Sequence, residues 1–189
     1  MPFVYIVRCN FTAPAKEAAW NAWYSGPKIV QMLANPYFLS CQRFRRASGA
    51  GRDYLALWTV QSPGAFATPE YKAQWGFSEW TPLIADWSRD LFDAGPLPSA
   101  VFAVAPVGGL HVIAFDGMSA EDADIARASM QVSSAATWLP VVGLDRHTPL
   151  IALRPLSKRM ASTLEMGAAP PRVQQAIYRP VSAFHRTAR

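Results

Sequence analysis

Strand-like and helix-like segments follow one another in this chain in an order that occurs twice. Residues 3–9 (FVYIVRC) form an apolar strand pattern, followed by a helical stretch. Two strand-like runs come next, YFLSCQRF at 37–44 and DYLALWTV at 53–60, and then a second helical stretch. From residue 110 the order returns: LHVIAFD, a helix-like MSAEDADIARASM, the runs TWLPVVGLD and TPLIALRPL, a helix-like KRMASTLEM and a closing strand QQAIYRPVSAF. Two β-α-β-β-α-β units of about 90 residues each imply an α+β chain of tandem ferredoxin-like units. Their antiparallel sheets are expected to pack face to face into an α/β barrel with a cavity between them. The units divide as 1–105 and 106–189, near the AGPLP run at 94–98 and the Gly108-Gly109 pair. Either RDLFD (89–93) or VFAVAP (101–106) could supply the fourth strand of the first unit, and β-propensity favours VFAVAP.

Half of the residues are hydrophobic and 16% are charged, a composition that sustains a packed core and excludes a disordered chain. Six of the seven tryptophans lie between Trp20 and Trp87, with Trp138 the exception, so the first unit has far more aromatic surface to bury or to offer a ligand. The N-terminal MPFVYIVRCNF reads as a first strand and not as a signal peptide. Apolar runs such as VFAVAPVGGL are too short and too broken by Pro and Gly to cross a bilayer, so no membrane partner is expected. Cys9 and Cys41 fall on the first and second strands, which the third strand separates in this topology. A disulfide is therefore not expected, and free thiols fit a cytoplasmic protein. From Arg146 onward there are eight Lys or Arg against one acidic residue, Glu165. They are spread singly and carry no aromatic RNA-binding signature, so a solvated basic surface is expected and nucleic acid is not.

Local signals place the pieces. Phe3, Tyr5, Val7 and Cys9 share one face of the first strand and Val4 and Ile6 the other, as in a strand covered on both sides. Thr12 and Pro14 open a helix on which Ala19, Trp20, Trp23 and Tyr24 recur at helical spacing. Gly26-Pro27 is expected to interrupt it before a short helical piece from Lys28 to Leu33, which Asn35-Pro36 ends. Thr68-Pro69-Glu70 is a good helix opening, and Phe77, Trp80, Leu83, Ile84 and Trp87 line up at helical spacing after it. In the second unit Ser119 and Asp122 suit a capping box ahead of Ile125 and Met130.

The run Trp23-Tyr24, then SGPK, IVQML, and ANPYFLSCQRF, resembles the dimeric α/β-barrel superfamily and especially its EthD-like members. Those show Trp-Tyr, three residues, His, a short apolar helix, a Pro-Gly-Phe-like turn and a strand ending in Arg-Phe or Arg-Tyr. Trp23 and Tyr24 match the aromatic pair, Leu33 the apolar helix and Arg43-Phe44 the strand end; DYLALWTV, SPGAF and PEY resemble the third strand and second helix. The likeness covers about residues 3–90, and the second unit matches by pattern only. Two positions depart from it: Lys28 stands where His is usual, and Asn35-Pro36-Tyr37-Phe38 replaces the turn. The superfamily spans oxygenases, isomerases, cyclases, dehydratases and proteins of no known activity, some of them haem-binding. In this chain the histidines His111, His147 and His185 have no metal-ligand spacing, so neither a metal nor another cofactor is expected.

Lys28, following a helix break, is the candidate catalytic residue, either binding a carboxylate, phenolate or enolate or acting as a desolvated base. Trp20, Trp23, Tyr24 and Trp58 are candidate walls for a flat apolar ligand. Arg43 and Arg45, on one face of the second strand, are candidates for clamping an acidic group, with Asp53 and Tyr54 as neutralising partners. No Gly-x-Ser-x-Gly elbow or phosphate loop is present. The leading expectation is an EthD-like barrel that binds a small apolar or aromatic metabolite in its first unit, with a homodimer as a further expected assembly. The alternatives are a cofactor-independent isomerase, cyclase or oxygenase acting on an aromatic or polyketide-like substrate, and a structural or interaction protein with a filled barrel.

Overall fold

The structure, a computed structural model, describes residues 2–187. The first half contributes β1 (Phe3–Phe11), β2 (Phe38–Gly49), β3 (Tyr54–Val60) and β4 (Ile84–Asp93). Helices α1 (Glu17–Trp23) and α2 (Ile29–Leu33) lie between β1 and β2, and α3 (Pro69–Gln74) lies between β3 and β4. The second half contributes β5 (Gly109–Ala114), α4 (Ala120–Ala128), β6 (Thr137–Leu144), β7 (Leu150–Leu156), α5 (Lys158–Thr163) and β8 (Gln174–Pro180), and a short β9 (His185–Arg186) adds to the edge of β2. The strands run in the order β3-β1-β4-β6-β7-β5-β8-β2, and β2 pairs back onto β3. This is a mixed α+β fold around a closed, eight-stranded antiparallel barrel. The two halves meet at the β4–β6 and β2–β8 seams.

Alternation along each strand decides what fills the barrel. Val4, Ile6, Phe44, Leu55, Leu57 and Phe92 point inward from the first half and meet Leu110, Val112, Leu139, Ile151, Leu153 and Tyr178 from the second. The interior is a packed core of these side chains, and they fill the space between the sheets where a cavity was expected. The opposite face of β1 and β3, with Tyr5, Val7, Tyr54, Ala56 and Trp58, turns outward to a second core beneath α1, α2 and α3. Open space in the first half lies in that outer layer.

Three expectations need correcting. The fourth strand is Ile84–Asp93 and not VFAVAP, part of which forms a 3₁₀ turn at Ser99–Phe102. That segment is apolar because Phe102 and Val104 join the barrel core. The buried Gln42 side chain holds it there, donating to the Val104 carbonyl (2.8 Å) and accepting from its N–H (2.9 Å). Secondly, Phe77 to Trp87 is no helix: Ser78–Leu83 is 3₁₀, with Pro82 inside it, and β4 begins at Ile84. Finally, Gly26-Pro27 does not break the helical segment. A π-turn over Tyr24–Lys28 absorbs the proline and joins α1 to α2 without a gap.

Cys9 and Cys41 are buried free thiols, with β3 between their strands. No helix among the described residues is long and apolar enough to cross a membrane.

A buried ionic cluster joins the halves. Asp116, just after β5, accepts from Arg8 on β1 (2.6 Å) and from Arg52 of the β2–β3 loop (3.0 Å). Thr148 donates to the same carboxylate at 2.7 Å. Burial alone would raise the Asp116 pKa, but the two guanidinium groups and the hydroxyl outweigh it and hold the carboxyl below its usual value. Removing one partner from such a cluster leaves buried charge uncompensated, at a cost of about 3–5 kcal/mol. Asp116→Asn is therefore expected to lower unfolding free energy by about that amount in urea titrations. Because the folded pKa is depressed, the wild-type advantage is present above the ordinary aspartate range and disappears as pH falls through the folded value. The two proteins should converge in strongly acidic buffer.

Candidate functional site

The outer layer of the first half encloses a cavity whose floor is the barrel wall. Tyr5 and Val7 of β1, Trp58 of β3, and Trp87 and Arg89 of β4 form the sheet side. Tyr24 and Lys28 of the π-turn, Met32 of α2 and Tyr71 of α3 form the helical side, and Trp75-Gly76-Phe77 closes over the top. The cavity is narrow: its region spans about 370 Å³ including open solvent at the mouth, but the space free for a water-sized molecule is about 20 Å³, room for about one water. Trp75 also borders two open clefts outside, one lined by Trp23, Lys28 and Gln74 and the other by Phe77, Ile84 and Trp87. Gly76 has φ +86°, a conformation that only glycine adopts readily, and Ser78 also has positive φ. The loop carrying Trp75 and Phe77 is thus set by local backbone geometry. Trp75 and Trp87, 44% and 42% exposed, stand at the rim with ring centroids 6.2 Å apart.

Lys28 is the last residue of the π-turn, and its side chain passes between the cavity and the Trp23 cleft. The residue is only 5% exposed. Its ammonium donates to the Gln74 carbonyl at the end of α3 and lies 5.9 Å from the centre of the Trp23 ring. Among the described residues no carboxylate lies within ion-pair distance. Desolvation lowers its pKa to about 8. A π-turn places this cation under the aromatic lid, as such turns frequently do at functional sites.

The opposite wall carries a hydrogen-bonded chain. Asp145, from the turn after β6, accepts from the Arg89 side chain (Nε, 3.2 Å) and backbone (3.1 Å). Arg89 Nη1 donates to the Tyr71 hydroxyl (3.1 Å), which lies 3.3 Å from that of Tyr5. Burial, then Tyr71 beside it, pushes the Tyr5 pKa well above the ordinary phenol value, so that hydroxyl stays protonated. Trp75 lies over the Arg89 guanidinium at 4.5 Å. The Trp58 indole N–H is buried beside the Tyr24 hydroxyl.

The residues singled out by sequence fall into three groups. Lys28, Tyr24 and Trp58 line the cavity, while Trp23 lines the adjoining cleft. Trp20 and Arg43 sit deeper. The Arg43 guanidinium lies 4.1 Å from the Tyr24 ring, 4.7 Å from Trp20 and 5.6 Å from Tyr54, and donates to Ser25 Oγ at 2.8 Å. Burial lowers its pKa from the usual arginine value. It braces Tyr24 and the π-turn against β2 and is not among the residues lining the cavity. Arg45 is exposed and pairs with Glu17 at 3.1 Å, away from the lining. Asp53 pairs with Arg46, and Tyr54 donates to Glu17, so neither neutralises Arg43. Sequence reading did not single out Tyr5, Tyr71, Trp75, Phe77 or Arg89 as site residues. Tyr71, Trp75 and Phe77 belong to the aromatic-rich stretch 71–87, of which Phe77 was assigned to a helix by its spacing; Tyr5 and Arg89 carried no such signal. None of the three histidines lines the cavity, and no three His, Cys, Asp or Glu among the described residues cluster as metal ligands do.

An unpaired, desolvated lysine costs stability in its charged form. Because the folded pKa is lowered to about 8, that cost is complete below pH 8 and is relieved as pH rises toward the ordinary lysine value. Lys28→Met should therefore be more stable than wild type at neutral pH by about 1–3 kcal/mol, the scale of an unsatisfied buried polar group. Denaturation at a series of pH values should show the difference narrowing above pH 8.

No protein-family profile matches the chain, and no curated relative does. Solved structures match its fold over nearly the whole length. An anthrone oxidase-like protein aligns with a TM-score of 0.60 at 10% identity, covering 100% of this chain and 94% of its own. A proposed monooxygenase from Lactobacillus acidophilus gives 0.51 at 11% identity, covering 96% and 97%. Chlorite dismutase from Candidatus Nitrospira defluvii gives 0.50 at 8%, covering 95% and 92%. At such identities the likeness is one of architecture: the chain shares the antiparallel α+β barrel fold of these proteins.

Proposed function

We propose that this is an EthD-like barrel protein, built of ferredoxin-like units 1–105 and 106–189, that binds a small aromatic molecule bearing an acidic oxygen. The two-unit reading is supported by strand order. The first half runs β4-β1-β3-β2 and the second β8-β5-β7-β6, the order that one β-α-β-β-α-β unit generates. One observation carries the ligand class: a buried ammonium without a carboxylate partner among the described residues borders an aromatic cavity. An enolate, phenolate or carboxylate would compensate the charge, and the rings of Tyr24, Trp58 and Phe77 would cover its flat body. Because the whole cavity has room for about one water molecule, an aromatic ligand would enter only if the Trp75–Phe77 loop lifts. Because the barrel closes within one chain, a homodimer would form through helices or the short β9 edge.

A second reading, a cofactor-independent isomerase, cyclase or oxygenase acting on an aromatic or polyketide-like substrate, is favoured by the pKa of Lys28. A group titrating at about 8 is suited to remove a proton near neutral pH. Titration of tryptophan fluorescence with 4-hydroxybenzoate tests the first reading. Binding should weaken at least about 10-fold in Lys28→Met, the loss of one charge-assisted hydrogen bond. No fluorescence response, or an unchanged affinity in the variant, would exclude Lys28 as the anion-binding group. For the enzyme reading, the same variant should lose about 100-fold in turnover while it still binds substrate.

A further inference from the structure

We infer that Lys28 is an amine nucleophile, condensing with an aldehyde or ketone carbonyl on an aromatic ligand held in the first-half cavity. The inference rests on the cavity reading above and adds a covalent step to it.

Hydrogen-bond geometry separates this role from simple ion pairing. An ammonium has three N–H donors to satisfy. At Lys28 the one hydrogen bond made by the ammonium among the described residues goes to the Gln74 carbonyl; Tyr24, Met32, Trp58 and Phe77 line the cavity side, and Gln31, Gln74 and Ser78 share the open cleft on the other. A neutral amine is accommodated by that arrangement: one N–H goes to Gln74, and no carboxylate among the described residues holds the group as an ammonium. Its proton affinity, lowered by burial to about 8, leaves a substantial neutral fraction near physiological pH. Desolvation in an apolar pocket is one of the recognised ways in which proteins activate a lysine toward carbonyls.

The reaction is a balanced condensation. The lone pair of Nζ attacks the carbonyl carbon and the C=O π pair moves to oxygen. Nζ gives up two hydrogens, the oxygen leaves with them as water, and a C=N bond remains. No oxidant or reductant is required, and hydrolysis reverses the step. The protonated Tyr5 hydroxyl, linked to Tyr71, lines the same cavity and is a hydrogen-bond donor available to a carbonyl oxygen there.

The chain has only four lysines, and Lys16, Lys72 and Lys158 are all exposed, so trapping is easily read. The probe is benzaldehyde, with sodium borohydride to reduce any imine, followed by digestion and peptide mass analysis. Benzyl alcohol, which has the ring but no carbonyl, reports non-covalent occupancy by saturation-transfer NMR. The expected result is one benzyl group on Lys28, at least about 10-fold above any surface lysine. Lys28→Arg, which keeps a cation but forms no imine, should carry none at that position. If benzyl alcohol binds but Lys28 is unlabelled, or all four lysines are labelled alike, the amine role is overturned while the cavity reading stands. Absence of both labelling and alcohol binding overturns both.

Discussion

Closing eight strands into a barrel commits one face of every strand to an interior that side chains must fill. Most features of this molecule follow from that commitment. With Val4, Ile6, Leu55, Leu57 and their partners packed inside, a binding site has to form on the outward faces. There the first half offers tyrosine and tryptophan, covered by α1, α2 and α3. The second half offers Ile113, Ala152 and Phe115, on which α4 rests through Ala123 and Ala126. Small residues allow close packing and leave little space, whereas large rings meeting edge-on leave gaps between them.

The strands were readable wherever alternation and β-branched content agreed. β1, β2, β3, β5, β7 and β8 lie close to their expected runs for that reason. β4 was obscured because its residues serve different surroundings. Trp87 is exposed at the rim, Ser88 and Asp90 are buried polar groups, and Leu91 and Phe92 enter separate cores. Such a strand has no clean period. The VFAVAP segment raised the opposite difficulty: it is apolar because it stops one end of the barrel, and a stopper needs hydrophobicity without needing a ladder. Ile125 shows the same gap between pattern and packing, since it lies 65% exposed on α4 while the smaller alanines make the contact.

Of the candidate site, residue type was more informative than partnership. Lys28 stood out because of its position after Trp23-Tyr24, but nothing in a linear sequence says that its ammonium meets the end of α3. Arg43 was singled out only as a candidate clamp for an acidic group, and the rings of Tyr24 and Trp20 that pack on it come from a different element. Arg89 depends on Asp145, 56 residues away, so the second half helps to set the wall of a cavity built almost wholly from the first. Dependencies of this kind arise from tertiary contact and leave no local periodicity.

Enclosing the barrel within one polypeptide also changes what mutation can do to it. When two identical copies complete a barrel, every substitution occurs twice and both copies must tolerate it. Here each seam joins non-identical strands, β4 to β6 and β2 to β8, so a residue on one half can change without imposing the same change across the axis. Asymmetry then becomes heritable: one half can accumulate bulky rings and a buried amine while the other keeps small side chains and supplies rigidity. The concentration of tryptophan before residue 90 is the visible record of that freedom.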